Sequence, residues 1–551
     1  MKKKGVVLCA ALLAMTLVFS SCGKENKTEE TDSSYADSNV NAAGQLPIVK
    51  DKISLTIGIR DYRYVKDFET NEFTKWLEEQ TNIDLNFVTF PTSNHIEKFR
   101  LLVASESQLP DILINFGLGK VEVLKLGQDG VFLNLKNMIE HDGYYIDEMF
   151  KIAKEPEFLK KSMTAYDGGM YFVPSYIEQP GNDYGRKAFI NKTWLDKLGL
   201  EMPETTEDLE KVLTAFKEKD PNGNGKADEI GITGSKNGWN ESVVPFLMNS
   251  FIYDDAQDRM QVKNGKVSPI YTTEEWRDGL RYIHSLAEKG LFDTQCFTQD
   301  SSTLKTLAQN PEGSLLGAVT TGSPDALFGV GNERLGEYAA LPPLKGPKGV
   351  AYAIKEQGGA NDGGIITRDC KNPLAAFRLL DFMLSEEASL RARYGVPGVD
   401  WKEAEEGDIG IFEESLGVKP RIRAILPYMS VQNSHWYAQN PQFRNYEIAN
   451  GIVWDGNELD GEYFKAKALE AYIGKEPKER VRGLSLSADR NEEYSTLAAE
   501  IKSYLSECTS MFIIGKMDID KDWDTYIKTL NNLGIDRYVE IIQEGYDNFN
   551  K

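Results

Sequence analysis

The stretch best equipped for chemistry is DPNGNGKADE at residues 220–229. Side-chain oxygens at loop positions 1, 3 and 5, a glycine at 6 and an acid at 9 follow the logic of a Ca²⁺ loop. Alternation aims three side-chain oxygens inward, Gly225 permits the sharp turn, and the Lys226 carbonyl can point at the ion. At position 12, where such a loop takes a bidentate glutamate, this chain has Gly231. Glu229, at position 10, is expected to supply that carboxylate. The expected ligands are therefore Asp220, Asn222, Asn224, Lys226, Asp228 and Glu229, around a structural rather than catalytic ion. The competing reading is a solvated Asn/Gly turn.

Little else carries chemistry. The chain has no GxSxG, no HExxH, no GxxxxGK[ST], and no GxGxxG after a strand. Acidic pairs such as Glu405-Glu406 and Glu413-Glu414 have the residue type of glycosidase carboxylates. With 85 acidic residues, chance pairs are everywhere, and a solvated face is the better reading. Four histidines (His95, His141, His284, His435) leave little for imidazole metal chemistry. Five cysteines without a CxxC pair make neither a disulfide scaffold nor a zinc site. Lys+Arg 63 against Asp+Glu 85 gives a net charge of −22. That balance argues against nucleic-acid binding and against docking on anionic lipid through charge.

The N-terminus sets the address. Lys2-Lys3-Lys4 precede an apolar run, residues 5–19, and then Ser20-Ser21-Cys22. This is an export signal, too short for a membrane span, and its end resembles a bacterial lipobox. Residues 1–21 are expected to be cleaved and Cys22 to carry lipid, leaving the protein on the outer face of the cell membrane. Residues 22–46 are polar and read as a disordered tether, spanning roughly 25–30 Å as a flexible coil. Cys296, Cys370 and Cys508 remain, and buried free thiols are the expected state.

Two kinds of element must position any site. Ile53, Leu55, Ile57 and Ile59 alternate with polar or small residues, as do Ile83, Leu85 and Phe87: two strands. Between them a helix begins near Asn71, with Phe73, Trp76 and Leu77 on one face. Residues 93–105 form a second helix, and residues 109–114 a short buried strand. Strand-helix-strand-helix-strand predicts a parallel sheet, with ligands beyond the carboxyl ends of its strands. That singles out Arg60-Asp61 and Asn115-Phe116. Residues 401–551 read as mostly helical.

The segment FINKTWLDKLGLEMPETTEDLEKVLTAFKEKDPNGNGKADEIGITGS, residues 189–235, resembles the extracellular solute-binding proteins of family 1. ASESQLPDILIN (104–115), DGGMYFVPSY (167–176) and NPLAAFRLLDFMLSEEASLRARYGVPGVDW (372–401) match as well. These are lipoprotein components of ABC sugar importers, and the larger calcium-binding members include alginate-oligosaccharide binders. Pro397 stands where an acidic residue is expected. The resemblance implies an α/β fold of two domains, like the periplasmic binding proteins, with ligand in the cleft between them. It implies an N-terminal domain of residues 47–172 plus 362–400 and a C-terminal domain of 173–361 plus 401–551. It also implies a non-catalytic monomer that captures an oligosaccharide and delivers it to permease subunits. The alternative is a binder of peptide or another small nutrient, or a sensor, on the same scaffold. Sugar sites stack aromatic faces on pyranose rings, and the candidates by position are Tyr171, Tyr176, Trp239, Asn240, Trp401, His435 and Trp436, beside Asn115. Trp436 leads because SHWYAQNP is polar around it. Trp76 and Trp194 sit at helical spacing and are assigned to packing.

Overall fold

Ile53, Leu55, Ile57 and Ile59 do line one side of a strand, β1 (Ile53–Arg60), in the computed structural model, which describes residues 37–427 and 429–551. The export signal and Cys22 lie outside the described residues. The chain divides into a unit of residues 1–38, of which only Asp37 and Ser38 are described, and a unit running from Asn39 to Lys551. Gly58 on β1 lets the strand pack closely, since a Cβ there would lie 2.8 Å from a methyl of Leu113 and would push it aside.

Helix α1 (Glu72–Thr81) starts where the side chain of Asn71 accepts the backbone N–H of Phe73, and stops at Asn82 in the left-handed region. It leads to β2 (Ile83–Phe90), paired in parallel with β1 from Ile53↔Ile83 to Arg60↔Phe90. Helix α2 (His95–Ala104) then returns the chain to β3 (Ile112–Ile114) on the other side of β1. The remaining strands of the main sheets are β4 (Val173–Ile177), β5 (Lys187–Asn191), β6 (Ile230–Thr233), β7 (Leu316–Thr321), β8 (Tyr338–Leu341), β9 (Asn361–Ile366) and β10 (Gln442–Arg444). They form a six-stranded sheet, β10-β4-β9-β3-β1-β2, and a four-stranded sheet, β8-β5-β7-β6. β9 runs antiparallel to both β3 and β4, while β10 is parallel to β4.

Each sheet has its own core. The first gathers apolar residues from 48 to 173, 360 to 392 and 436 to 443; the second gathers residues from 184 to 353, Phe412, and residues from 466 to 542. The second includes α3 (Thr206–Glu218), capped by Thr205. Helix α4 (Glu386–Tyr394) lies against β10, and α5 (Gly461–Tyr472) serves the second core. The C-terminal part is helical as expected, ending in α6 (Ala488–Ile513) and α7 (Ile535–Asn550). Buried Asp258 ties those two helices down, accepting from Tyr494 at 2.6 Å, Tyr538 at 3.0 Å and Lys502 at 2.8 Å.

Two expectations change. The assignment of all of 401–551 to the second domain differs from the structure, because β10 pairs with β4 and Trp436, Tyr437 and Phe443 belong to the first core. The tether, expected to be disordered to residue 46, is ordered from Asn39. Asn39 exchanges side-chain bonds with the Asp51 backbone, and Ile48 and Val49 are buried beneath this strap. Cys296, Cys370 and Cys508 are free and buried, and burial pushes the Cys370 thiol up to about 12. No helix among the described residues is long and apolar enough to cross a membrane.

Candidate functional site

At the carboxyl end of β3, Asn115 adopts a left-handed backbone (φ +44°) and donates from Nδ2 to Gln439 Oε1 at 2.8 Å. Gln439 sits on a loop with two further non-glycine residues in that region, Tyr437 and Ala438, both at φ +57°. Left-handed backbone is costly for such residues and persists only where surroundings over-determine it. Here the Ala438 N–H donates to the Ala392 carbonyl at 2.7 Å, and the Tyr437 N–H donates to His435 Nδ1 at 3.0 Å. With Nδ1 accepting, the proton of neutral His435 is on Nε2. Burial, with Arg393 nearby, pushes His435 down to about 4.

The Tyr437 ring packs on Tyr62 (5.0 Å) and Tyr64 (5.3 Å), both just past the end of β1. Tyr62 and Asp61 also line a cavity of about 740 Å³ that runs to Phe87 and Thr92, within the size range of small-ligand sites. Near the Tyr437 ring stands Arg393 of α4, its guanidinium 5.6 Å from the ring centre. The positive charge of Arg393 acts on the carboxyl of Glu462 in α5, whose later residues pack in the second core, and so the belt reaches the elements of that core. Burial works to raise the Glu462 carboxyl, yet Lys465 beside it, with Arg393 and Lys187, holds it below the usual range. Lys465 bonds Glu462 at 2.7 Å and lies 5.9 Å from the ring of Trp239. Trp239 is half exposed, and Asn240 next to it is again left-handed (φ +59°). Lys187 at the start of β5 is fully buried, donates to the Gly181 carbonyl, and is pushed down to about 7 by burial.

Of the expected contacts, Asn115, His435, Trp239 and Asn240 therefore fall on one belt. The others lie elsewhere. Trp436 is fully buried, its Nε1 donating to Thr74 Oγ1 at 2.8 Å and its indole edge-to-face with Phe73, Phe87 and Phe68. The polar letters around it are spent on turns, and the indole itself is core. Trp401 donates to the Gly395 carbonyl and packs with Leu390, Tyr394 and Ile422. Tyr171 lies over Gly127 and Gly169 with its hydroxyl on Asp167. Tyr176 stacks on Phe443 and lines a separate cavity of about 630 Å³ with Glu178, Asp183 and Asn361. Burial there pushes Asp183 up to about 6. Sequence reasoning missed Tyr62, Tyr437, Arg393, Glu462 and Lys465. Tyr62 was within reach, one residue beyond the flagged Arg60-Asp61.

The 220–229 loop is closed on itself. Asp220 accepts from the backbone N–H groups of Gly223, Asn224 and Gly225, and Asp228 accepts from the side-chain amides of Asn222 and Asn224. Gly225 takes φ +74°. Gly231 cannot be replaced by the glutamate of a standard loop, because a Cβ there would stand 2.1 Å from the Leu291 carbonyl oxygen. Glu229 lies close by: its Oε1 is buried with no hydrogen-bond partner, and burial, with Asp220 and Asp228 nearby, raises its carboxyl. An orphaned buried carboxylate oxygen with two further carboxylates nearby fits a hard cation, while the amides of Asn222 and Asn224 turn their N–H groups to Asp228 and their oxygens to the backbone N–H groups of Asn224 and Lys226. Among the described residues, no three acid, histidine or cysteine side chains converge on a metal position.

The profile of the bacterial extracellular solute-binding proteins matches residues 63–389. The fructooligosaccharide ABC transporter substrate-binding protein FusA of Streptococcus pneumoniae serotype 4 is 28% identical over 560 residues, covering 99% of this chain and 98% of FusA. Lipoprotein LipO of Bacillus subtilis is 23% identical, covering 84% of this chain and 86% of LipO. The solved structure of S. pneumoniae FusA with kestose superposes with a TM-score of 0.68 at 25% identity, over 90% of this chain and 99% of that one. A FusA EF-hand mutant with fructo-nystose superposes equally well.

Proposed function

Because the chain belongs to the bacterial extracellular solute-binding proteins, a family of binders rather than enzymes, we propose that it captures an oligosaccharide outside the cell and delivers it to the permease of an ABC importer. The observation that carries this reading is the belt from Tyr62 and Tyr437 through Arg393, Glu462 and Lys465 to Trp239. Aromatic faces at both ends suit the apolar faces of sugar rings, and the amides and charges between them suit hydroxyls. The full-length likeness to FusA supports the saccharide class, and the likeness to LipO supports anchoring through lipid on Cys22. His435 contributes a neutral N–H donor, and Asn115 orients Gln439. A Ca²⁺ ion would be held by the side chains of Asp220, Asn222, Asn224, Asp228 and Glu229 with the Lys226 carbonyl. Its charge would offset the loop's carboxylates and fix the turn between α3 and β6.

Titration calorimetry of the protein without its signal, against kestose, nystose and an alginate oligosaccharide, tests the reading. One of these should bind and be recovered intact, and Trp239→Ala should weaken it by about 1–3 kcal/mol with little change in melting temperature. Binding of peptides alone would replace the saccharide reading, and cleavage of the sugar would replace the receptor by an enzyme.

A further inference from the structure

Two residues beyond Trp239, Glu241 is a carboxylate only 2% exposed. Both of its side-chain hydrogen bonds come from serine hydroxyls: Ser301 reaches Oε1 at 2.9 Å, and Ser235 reaches Oε2. The Ser235 oxygen in turn accepts the Gly238 N–H at 3.0 Å. The Glu241 carbonyl accepts from the Ser235 N–H at 3.0 Å and from the Thr320 hydroxyl at 2.8 Å. Residues 235–241 are thus cinched into one turn, fixed to β7 and to the start of the helix Ser301–Ala308. Packing leaves the turn no slack. A Cβ on Gly238 would lie 1.8 Å from the Glu241 carboxylate, and a Cβ on Gly322 would lie 2.6 Å from the Trp239 ring. The Trp239 carbonyl accepts the Gly322 N–H at 3.1 Å, so the half-exposed indole stands on a fixed backbone. Burying a carboxylate costs free energy that an apolar residue would avoid, and what this one secures is the shape of the turn.

We propose that Glu241 is a positioning residue of the binding site, its buried carboxylate holding the turn that presents Trp239 and Asn240 to a bound saccharide. The inference rests on the reading of Trp239 as a ligand contact. A stacking platform ordered beforehand avoids the ordering cost that a mobile side chain meets on binding, so loosening the root of the turn weakens binding without removing any contacting atom.

The test is a double-mutant cycle with kestose and nystose as probes. Glu241→Ala should weaken binding about tenfold, as expected for a lost stacking contact, and Glu241→Gln, which can still bridge both serines, should recover most of that loss. In a Trp239→Ala background, Glu241→Ala should add little. Equal losses in both backgrounds, or unchanged affinity, overturn the proposal. A second readout needs no ligand: the emission lost on Trp239→Phe isolates the Trp239 signal. In Glu241→Ala that signal should shift to the red and become more open to acrylamide, and an unchanged signal overturns the positioning role. Should neither sugar bind the wild type, or Trp239→Ala bind unchanged, the site reading fails, while the emission comparison still decides Glu241. If Glu241→Ala does not fold, Glu241→Asp, which draws the carboxylate back by one methylene, takes its place.

Discussion

Trp436 shows how little a residue's neighbours in sequence say about its surroundings. Its indole nitrogen bonds to Thr74 and its ring meets three phenylalanines, so Trp436→Ala should lower stability by roughly 3–5 kcal/mol. Urea denaturation at unchanged m-value would measure this, and a variant as stable as the wild type would return Trp436 to the surface. The polar letters of SHWYAQNP concealed the burial because several of them are satisfied within the protein: the His435 carbonyl accepts from Gln432 and Asn71, the Ser434 N–H donates to Gln432, and Gln439 accepts from Asn115. His435 gives a pH-dependent consequence. Its folded value, about 4, lies below the unfolded value near 6.5, so the unfolded chain takes the proton first. The stability it contributes is complete above pH 6.5 and is lost as pH falls toward 4, by roughly 3 kcal/mol in all. His435→Gln should flatten the pH dependence of the melting temperature in that window. An equally steep profile in the variant would assign the slope to other groups.

At the scale of elements, local rules were legible wherever one residue type decides the backbone. Asn71 caps the helix placed after it, and the alternation of β1 and β2 produced the parallel pair. The loop at 220–229 was legible as a turn with inward oxygens, but the reason for its unusual position 12 was not. That reason is a carbonyl at Leu291, sixty residues away, which leaves Gly231 no room for a side chain. The same geometry predicts how the loop behaves. An ion that binds only the folded state adds about 2.7 kcal/mol at 100 times its dissociation constant. Chelation should therefore lower the melting temperature, and Asp220→Ala or Glu229→Gln should remove the response. Identical melts with calcium and with chelator would leave a solvated turn.

For the whole molecule, the N-terminus makes the simplest prediction. Cys22→Ala should shift the protein from the membrane fraction to the medium or leave an unprocessed precursor, because a diacylated cysteine meets the two-chain requirement for stable anchoring. Wild-type fractionation with no lipid mass to lose would exclude the anchor. The α/β class was legible from periodicity, but the return of residues 436–443 to the first sheet was not. A three-residue strand such as β10 carries no periodic signal of its own and is fixed only by the partner it finds, β4. The proposed belt was half legible for the same reason: Asn115 stands at a strand end, while Arg393, Glu462 and Lys465 lie on helices whose orientation only the assembled sheets determine. The placement of β10 also bears on mechanics. β10, β4 and β9 lie side by side at one edge of the six-stranded sheet, and with strands about 4.8 Å apart they form a ribbon roughly 10 Å wide. Such a ribbon resists shear and in-plane bending because its hydrogen bonds would have to break, whereas flexing across its thin direction leaves them intact. Segments 173–177, 361–366 and 442–444, far apart along the chain, are thereby bound abreast like the plies of a board, so that a pull on any one of them is shared by the other two.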